Sequence, residues 1–187
     1  MATTPLSTYN FSTPLLTHGL QTLSHLISVA TTYSKSNRLA PDIILRWRLR
    51  HDMHPLTFQV QMATNLARRT AQRLTGNPQP VFHDEGESLE EMSARIAAAI
   101  EVLRGGNRVD VVAHGAGREE LRTVRMGEWE FTPEEFVLNW TVPNFFFHLQ
   151  TGYAILRMHG VGLGKGDYFG GFMPMGGGSG GREELRL

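Results

Sequence analysis

The sequence contains no cysteine among its 187 residues. Disulfide scaffolds, thiolate-bound metals and cysteine nucleophiles are therefore excluded from its chemistry. It also lacks any apolar run of the roughly 18 residues needed to cross a bilayer. Residues 1–12 have neither the basic start nor the continuous apolar stretch of a secretory signal. We therefore expect a soluble, cytoplasmic protein without a membrane partner.

An excess of positive charge is missing as well, because 18 basic residues balance 18 acidic ones and the formal net charge is zero. Proteins that coat nucleic acid are usually strongly basic, so a nucleic-acid partner is not expected. Arginines do cluster at residues 46–50 and 68–73. A helix-turn-helix-like DNA binder therefore stays open as a minor alternative.

The length and the composition, 41% hydrophobic and 19% charged, fit one globular domain with a sizeable core. The last residues read MPMGGGSGGREELRL and are rich in glycine. We expect residues 1–172 to form the domain and residues 173–187 to form a flexible tail.

Four amphipathic segments predict helices: the first from about 14 to 34, the second from around 52–55 to 76, the third from 88 to a stop at 105–106, and the fourth from 132 to about 159. Pro14 suits the first position of the first helix. Capping boxes mark the starts of the last two helices, where Ser88 pairs with Glu91 and Thr132 with Glu135. A short additional helix is predicted at residues 41–49.

The fourth helix contains Pro143, which predicts a kink or bulge between Asn139 and Pro143. Before it, the alternating runs 121–126 and 128–131 flank Gly127 and predict a short hairpin. The glycine-rich run 160–167 follows a helix rather than a strand, so we interpret it as a structural wrap and not as a phosphate loop. The predicted fold is all-α: a four-helix bundle with one long crossover connection and a small β-hairpin insertion.

Three stretches of the chain resemble a known group of proteins: RHDMHPLTFQVQMATNLARRTAQRLTG, EEMSARIAAAIEVL and, most specifically, PNFFFHLQTGYAILRMHGVGLGKGDYFGG. They are similar to an uncharacterised bacterial and fungal family, a domain of unknown function, within the DinB-like (YfiT-like) superfamily of four-helix bundles. The resemblance covers residues 6–172. It implies the bundle fold, a homodimer formed through helix faces and a pocket at the bundle centre.

The same resemblance implies a metal position whose ligands are changed in this sequence. Typical DinB-like proteins hold a divalent metal with three histidines, one from the second helix and an H-x-x-x-H pair from the last. Here the last-helix pair reads Asn144-x-x-x-His148, and the second-helix position falls at Gln59 or Gln61. Amides are weak donors for such a metal. We therefore predict no metal and no other cofactor.

Helical spacing places Asn144 and His148 on one face of the last helix, one turn apart. We predict that His148 is the catalytic acid or base, and that Asn144 and Gln61 orient a ligand or stabilise a developing oxyanion. Further residues are predicted to line an aromatic central pocket: His54, Phe58, Asn65, Trp140, Thr141, Phe145 and Tyr153.

These residues favour an enzyme or binder that acts on a small organic molecule, with metal-independent acid/base chemistry of the isomerase, dehydratase or cyclase type. Two other hypotheses stay open. One is a non-enzymatic dimeric helical module whose polar interior is purely structural. The other is a metal-dependent transferase with altered ligands.

Overall fold

The computed structural model describes residues 8–75, 78–83, 88–105 and 124–173. These residues form seven α-helices, one π-helical turn and two strands: α1 Thr8–Asn37, α2 Pro41–Arg46, α3 Leu56–Thr75, α4 Leu89–Gly105, β1 Val124–Met126, β2 Trp129–Phe131, α5 Pro133–Phe136, the π turn Val137–Thr141, α6 Val142–Met158 and α7 Lys165–Phe169. None of the helices within these ranges is long and apolar enough to span a membrane.

Four long helices form a closed ring, as the sequence predicts. Helix α3 packs against α4 and α6, and α1 packs against the same two helices, so α1 and α3 are diagonal to each other. The chain order then requires two diagonal connections, from α1 to α3 through α2 and from α4 to α6 through the hairpin. The sequence predicts one crossover connection, and the structure has a second.

The core lies between these helices and follows from the spacing of apolar residues. On α1, Leu16, Leu20, Leu23 and Ile27 recur every three or four residues, and each is at most 1% exposed. Such spacing keeps side chains on one helical face, and burying each one contributes about 1.5–3 kcal/mol.

Helix α1 begins earlier than the sequence indicates. Pro14 is not at the first helical position but lies inside the helix, which already includes Thr8. The proline ring is exposed. Because proline has no backbone N–H, only one helical hydrogen bond is lost, the one to the carbonyl four residues earlier. Just before Pro14, the hydroxyl of buried Ser12 donates to the Thr8 carbonyl at 2.6 Å.

The other local signals are confirmed. The Ser88 hydroxyl accepts from the Glu91 amide at 3.1 Å, and the Thr132 hydroxyl accepts from the Glu135 amide at 3.2 Å. The bulge predicted before Pro143 is the π turn, in which the Val142 amide donates to the Val137 carbonyl five residues earlier.

The predicted hairpin is present and short. Strand β1 pairs antiparallel with β2 around the two-residue turn at Gly127 and Glu128, and Gly127 has a positive φ of 61°. Residues 121–123 of the predicted first strand and the predicted tail beyond residue 173 lie outside the described residues.

The glycine-rich segment after α6 wraps onto α1. Asp167 begins helix α7 by accepting from the Gly164 amide at 2.7 Å through Oδ2. Its Oδ1 lies 2.8 Å from His25 Nε2 on α1, and the Thr22 hydroxyl donates to the Tyr168 carbonyl at 2.9 Å. This segment therefore closes one side of the bundle.

Helix α6 approaches α1 closely at Gly19. A methyl group there would overlap Cε1 of Phe145 and lie 2.9 Å from its Cζ, and the Phe145 ring is fully buried. We predict that Gly19→Ala lowers the free energy of unfolding by about 1–2 kcal/mol, because overpacking a rigid ring outweighs the helix propensity gained. Chemical denaturation measures this change.

Gly152→Ala is the matched control, since both glycines are buried in bundle helices. A methyl group at Gly152 meets no side chain closer than 3.7 Å. We expect this variant to be as stable as the wild type or up to about 1 kcal/mol more stable. Equal effects of the two substitutions would contradict the packing described here.

Candidate functional site

A buried histidine faces a buried glutamine across the α3–α6 contact. His148 Nδ1 lies 2.7 Å from Gln59 Oε1, and the two side chains are 7% and 3% exposed. The Gln59 amide nitrogen donates to the carbonyls of His54 and Pro55, at 3.1 and 3.4 Å. Because α3 begins at Leu56, these carbonyls lie just before its first turn. The end of the helix thus orients the glutamine.

This chain of hydrogen bonds determines the tautomer of His148. A backbone carbonyl can only accept, so the Gln59 NH₂ group must face His54 and Pro55, and Oε1 must face the imidazole. His148 Nδ1 must then carry a proton to donate to Oε1. In the neutral ring, the lone pair is left on Nε2.

The surroundings keep the ring neutral. Burial, and to a smaller extent the positive charge of nearby His54, lowers the pKa of the His148 imidazole below its ordinary value. At neutral pH, His148 is therefore an uncharged base whose unprotonated nitrogen is Nε2.

Aromatic rings surround the imidazole. Phe58 contacts the His148 ring edge-on, with ring centroids 5.8 Å apart, and stacks on His54 at 3.9 Å. Phe147 contacts His148 at 5.3 Å and is itself largely exposed. We call His54, Phe58, Gln59, Phe147 and His148 the histidine niche. His54 and Phe147 are its exposed members.

Two other predicted residues lie on α6 near His148 but differ in burial and in what they contact. Asn144 is half-buried, one helical turn before His148. Phe145 is fully buried and points at Gly19 of α1, so it belongs to the core between α1 and α6.

Three predicted residues lie away from the niche. Thr141 is buried, and its hydroxyl accepts from the Thr70 hydroxyl at 3.4 Å. Trp140 borders a groove beside the hairpin. Tyr153 contacts Tyr168 of α7, with ring centroids 5.8 Å apart.

Gln61 and Asn65 are half-buried on α3. At about 100° per residue, Gln61 is turned by about 200° from Gln59, so the two amides point to different sides of the helix. Gln59 is thus the glutamine that meets His148. The sequence signal that identifies Gln59 is its spacing: together with Leu56, Ala63 and Leu66 it forms a series that recurs every three or four residues on the buried face.

The donors at this site do not fit the three-histidine metal set that the resemblance implies. Gln59 Oε1 already accepts a hydrogen bond from His148 Nδ1–H, and Asn144 stands where the first histidine of the pair is expected. Across the part of the chain that the structure describes, no three histidine, aspartate or glutamate side chains form a metal-binding group. One imidazole and a weak amide are a poor ligand set.

We predict that at pH 7 His148 is neutral and protonated on Nδ1. Two-dimensional ¹H–¹⁵N spectra of the histidine rings report the tautomer, and their pH titration should place the midpoint for His148 below about 6.5. Since the pKa is lowered in the folded state, the stability that the neutral ring provides is complete above about pH 6.5. It is lost as the pH falls through the folded-state pKa.

Gln59→Leu is the matched variant, because it keeps the volume of the side chain and removes the acceptor. We expect it to change the Nδ1 signal of His148 while leaving that of exposed His83 unchanged. An Nε2–H tautomer or a midpoint above 6.5 in the wild type would contradict the assignment.

Comparisons with known proteins agree with this architecture. The model of a family described as a domain of unknown function (DUF1993) matches residues 8–169. A crystal structure of a DinB family member protein from Shewanella denitrificans is 30% identical and superposes with a TM-score of 0.76, covering 86% of this chain and 90% of that one. No curated protein matches the chain. The chain belongs to this family of domains of unknown function, within the DinB-like superfamily of helical bundles.

Proposed function

We propose that the protein binds a small organic molecule against the histidine niche and that His148 Nε2 acts on it as a general base. The observation that carries the proposal is the Gln59–His148 hydrogen bond, because it fixes the lone pair on a defined nitrogen. Gln59 is then a positioning residue. It holds the tautomer and does not touch the substrate.

The chemistry that suits such a base is proton transfer at carbon. His148 would remove a proton from a carbon next to a carbonyl or another electron-withdrawing group, and the imidazolium would return it at a different atom. Isomerisation, dehydration and cyclisation all fit this scheme and need no metal. Asn144, one turn before His148 on α6, would donate to the oxygen on which negative charge develops.

The aromatic rings support the same proposal. Phe58 and Phe147 lie against the buried imidazole and offer flat apolar surface to an organic substrate. A base in such a place is poorly solvated and remains deprotonated at neutral pH, which is the state that a general base requires. The expected homodimer, the cytoplasmic location and the absence of a nucleic-acid partner remain predictions from the sequence.

The generic base reactivity of the niche can be measured with 5-nitrobenzisoxazole. In its ring opening, a base removes the proton on C3, the carbon–nitrogen bond becomes a nitrile as the N–O bond breaks, and the product is a coloured cyanophenolate. We predict that His148→Ala lowers the rate by about tenfold or more, since a placed general base typically contributes ~10²–10⁴-fold. The wild-type rate should rise with pH and reach its plateau by about pH 7, because the His148 pKa is lowered.

His83→Ala is the control, because it removes an exposed imidazole outside the niche. His148→Phe provides a second variant that keeps a ring beside Phe58 if the alanine variant is unstable. Gln59→Leu should shift the pH profile as well as the rate. If His148→Ala and His148→Phe react like the wild type, the polar pair is structural and the proposal is wrong.

A further inference from the structure

A second concave surface lies at one end of the bundle, apart from His148. It is a groove of about 560 Å³ between the hairpin and the π turn, and its lining is Met126, Gly127, Trp129, Phe131, Asn139 and Trp140. Its volume is in the range of small-molecule sites, which are usually apolar with a few polar groups. Here the Asn139 amide is the polar side chain of the lining.

The hairpin separates its apolar face from its charged face. Met126 is paired with Trp129, and Phe131 is paired with Val124, so these residues share one face of the two strands. Arg125 and Glu130 are paired on the other face, where Arg125 Nε and Glu130 Oε1 are 2.6 Å apart. The side of the hairpin that borders the groove therefore carries no charge.

The π turn supplies the opposite wall. It inserts an extra residue into the helical turn before Pro143 and directs Asn139 and Trp140 to the hairpin. Single π turns inside α-helices occur frequently at functional sites.

The two indoles of the groove are unusually accessible. Trp129 is 71% exposed and Trp140 is 39% exposed, although tryptophan is highly buried on average. Exposed indole surface is unfavourable in water, and a flat ring stacked on it regains that free energy. Trp47, the third tryptophan, is instead stacked on His159 with centroids 4.4 Å apart.

We propose that this groove binds an uncharged, flat aromatic molecule, which stacks on Trp129 and Trp140 and forms a hydrogen bond with the Asn139 amide. Among the described residues that line the groove there is no lysine, arginine, aspartate or glutamate to compensate for desolvation of an ion, so this lining favours an uncharged ligand. The site is distinct from the histidine niche and does not depend on the function proposed for it.

The pair of probes that tests this is N-phenyl-1-naphthylamine, which is uncharged, and 8-anilino-1-naphthalenesulfonate, which adds one sulfonate to the same rings. We expect the uncharged probe to bind one site per chain and the sulfonate to bind at least about tenfold more weakly. Trp129→Ala should weaken binding of the uncharged probe by about tenfold or more, as should Trp140→Ala. Binding should also quench the emission of the two groove tryptophans, so the decrease in tryptophan emission should be at least as large a fraction in Trp47→Phe as in the wild type.

Two variants show where the probe binds. Ile43→Ala removes an exposed apolar side chain on α2 and should leave the affinity unchanged, and Phe147→Ala tests the histidine niche. Circular dichroism shows whether each variant is folded. If Trp140→Ala does not fold, Trp129→Ala still tests the site, because Trp129 is largely exposed. The inference is wrong if the uncharged probe does not bind, or if Phe147→Ala abolishes its binding and Trp129→Ala does not. It is also wrong if sedimentation shows a dimer to which the probe does not bind.

Discussion

The missing N–H of Pro143 is the constraint on which the arrangement of the last helix depends. A proline inside a helix leaves the carbonyl four residues earlier without a partner. The chain responds with the π turn, in which the Val142 amide reaches back five residues. Helix α6 then starts with a rotation that brings Phe145 against Gly19 and His148 against Gln59. The residues before the turn are directed instead to the hairpin groove.

The Gln59–His148 pair is a poor way to stabilise a bundle. A net hydrogen bond in a protein contributes only about 0.5–1.5 kcal/mol, whereas two apolar side chains of the same shape can serve as well or better. A charged His148 would also be destabilising, since burial lowers its pKa. The value of the pair therefore lies in orientation: two carbonyls at the start of α3 fix Gln59, and Gln59 fixes the imidazole.

Much of the fold can be predicted from the sequence because its signals are local. The capping boxes at Ser88 and Thr132, the hairpin at Gly127 and the bulge before Pro143 each depend on a few neighbouring residues. Pro14 shows the limit of such signals, because packing of a long amphipathic helix outweighs the preference of one proline.

The candidate site is less predictable, because it depends on how helices rotate against each other. The one extra residue of the π turn rotates the residues before it by about 100° relative to those after it. Trp140, which lies within that turn, therefore borders the hairpin groove and not the histidine niche. Likewise, the sequence places both Gln59 and Gln61 on α3, and only the packing against α6 determines which of them meets His148. The groove depends on the first of these effects, since the π turn directs Asn139 and Trp140 to the hairpin that precedes it in the chain.

The orientation of His148 is like that of a metal-binding histidine, but the residues around it do not complete a three-histidine site. An imidazole held through Nδ1–H by an acceptor presents Nε2, which is also how metal-binding histidines are oriented by their outer partners. In this chain the acceptor is Gln59, whose oxygen is consumed by that bond, and Asn144 replaces a second imidazole. What remains is one oriented, neutral base among aromatic rings. Proton transfer is the chemistry that such a group performs without further ligands.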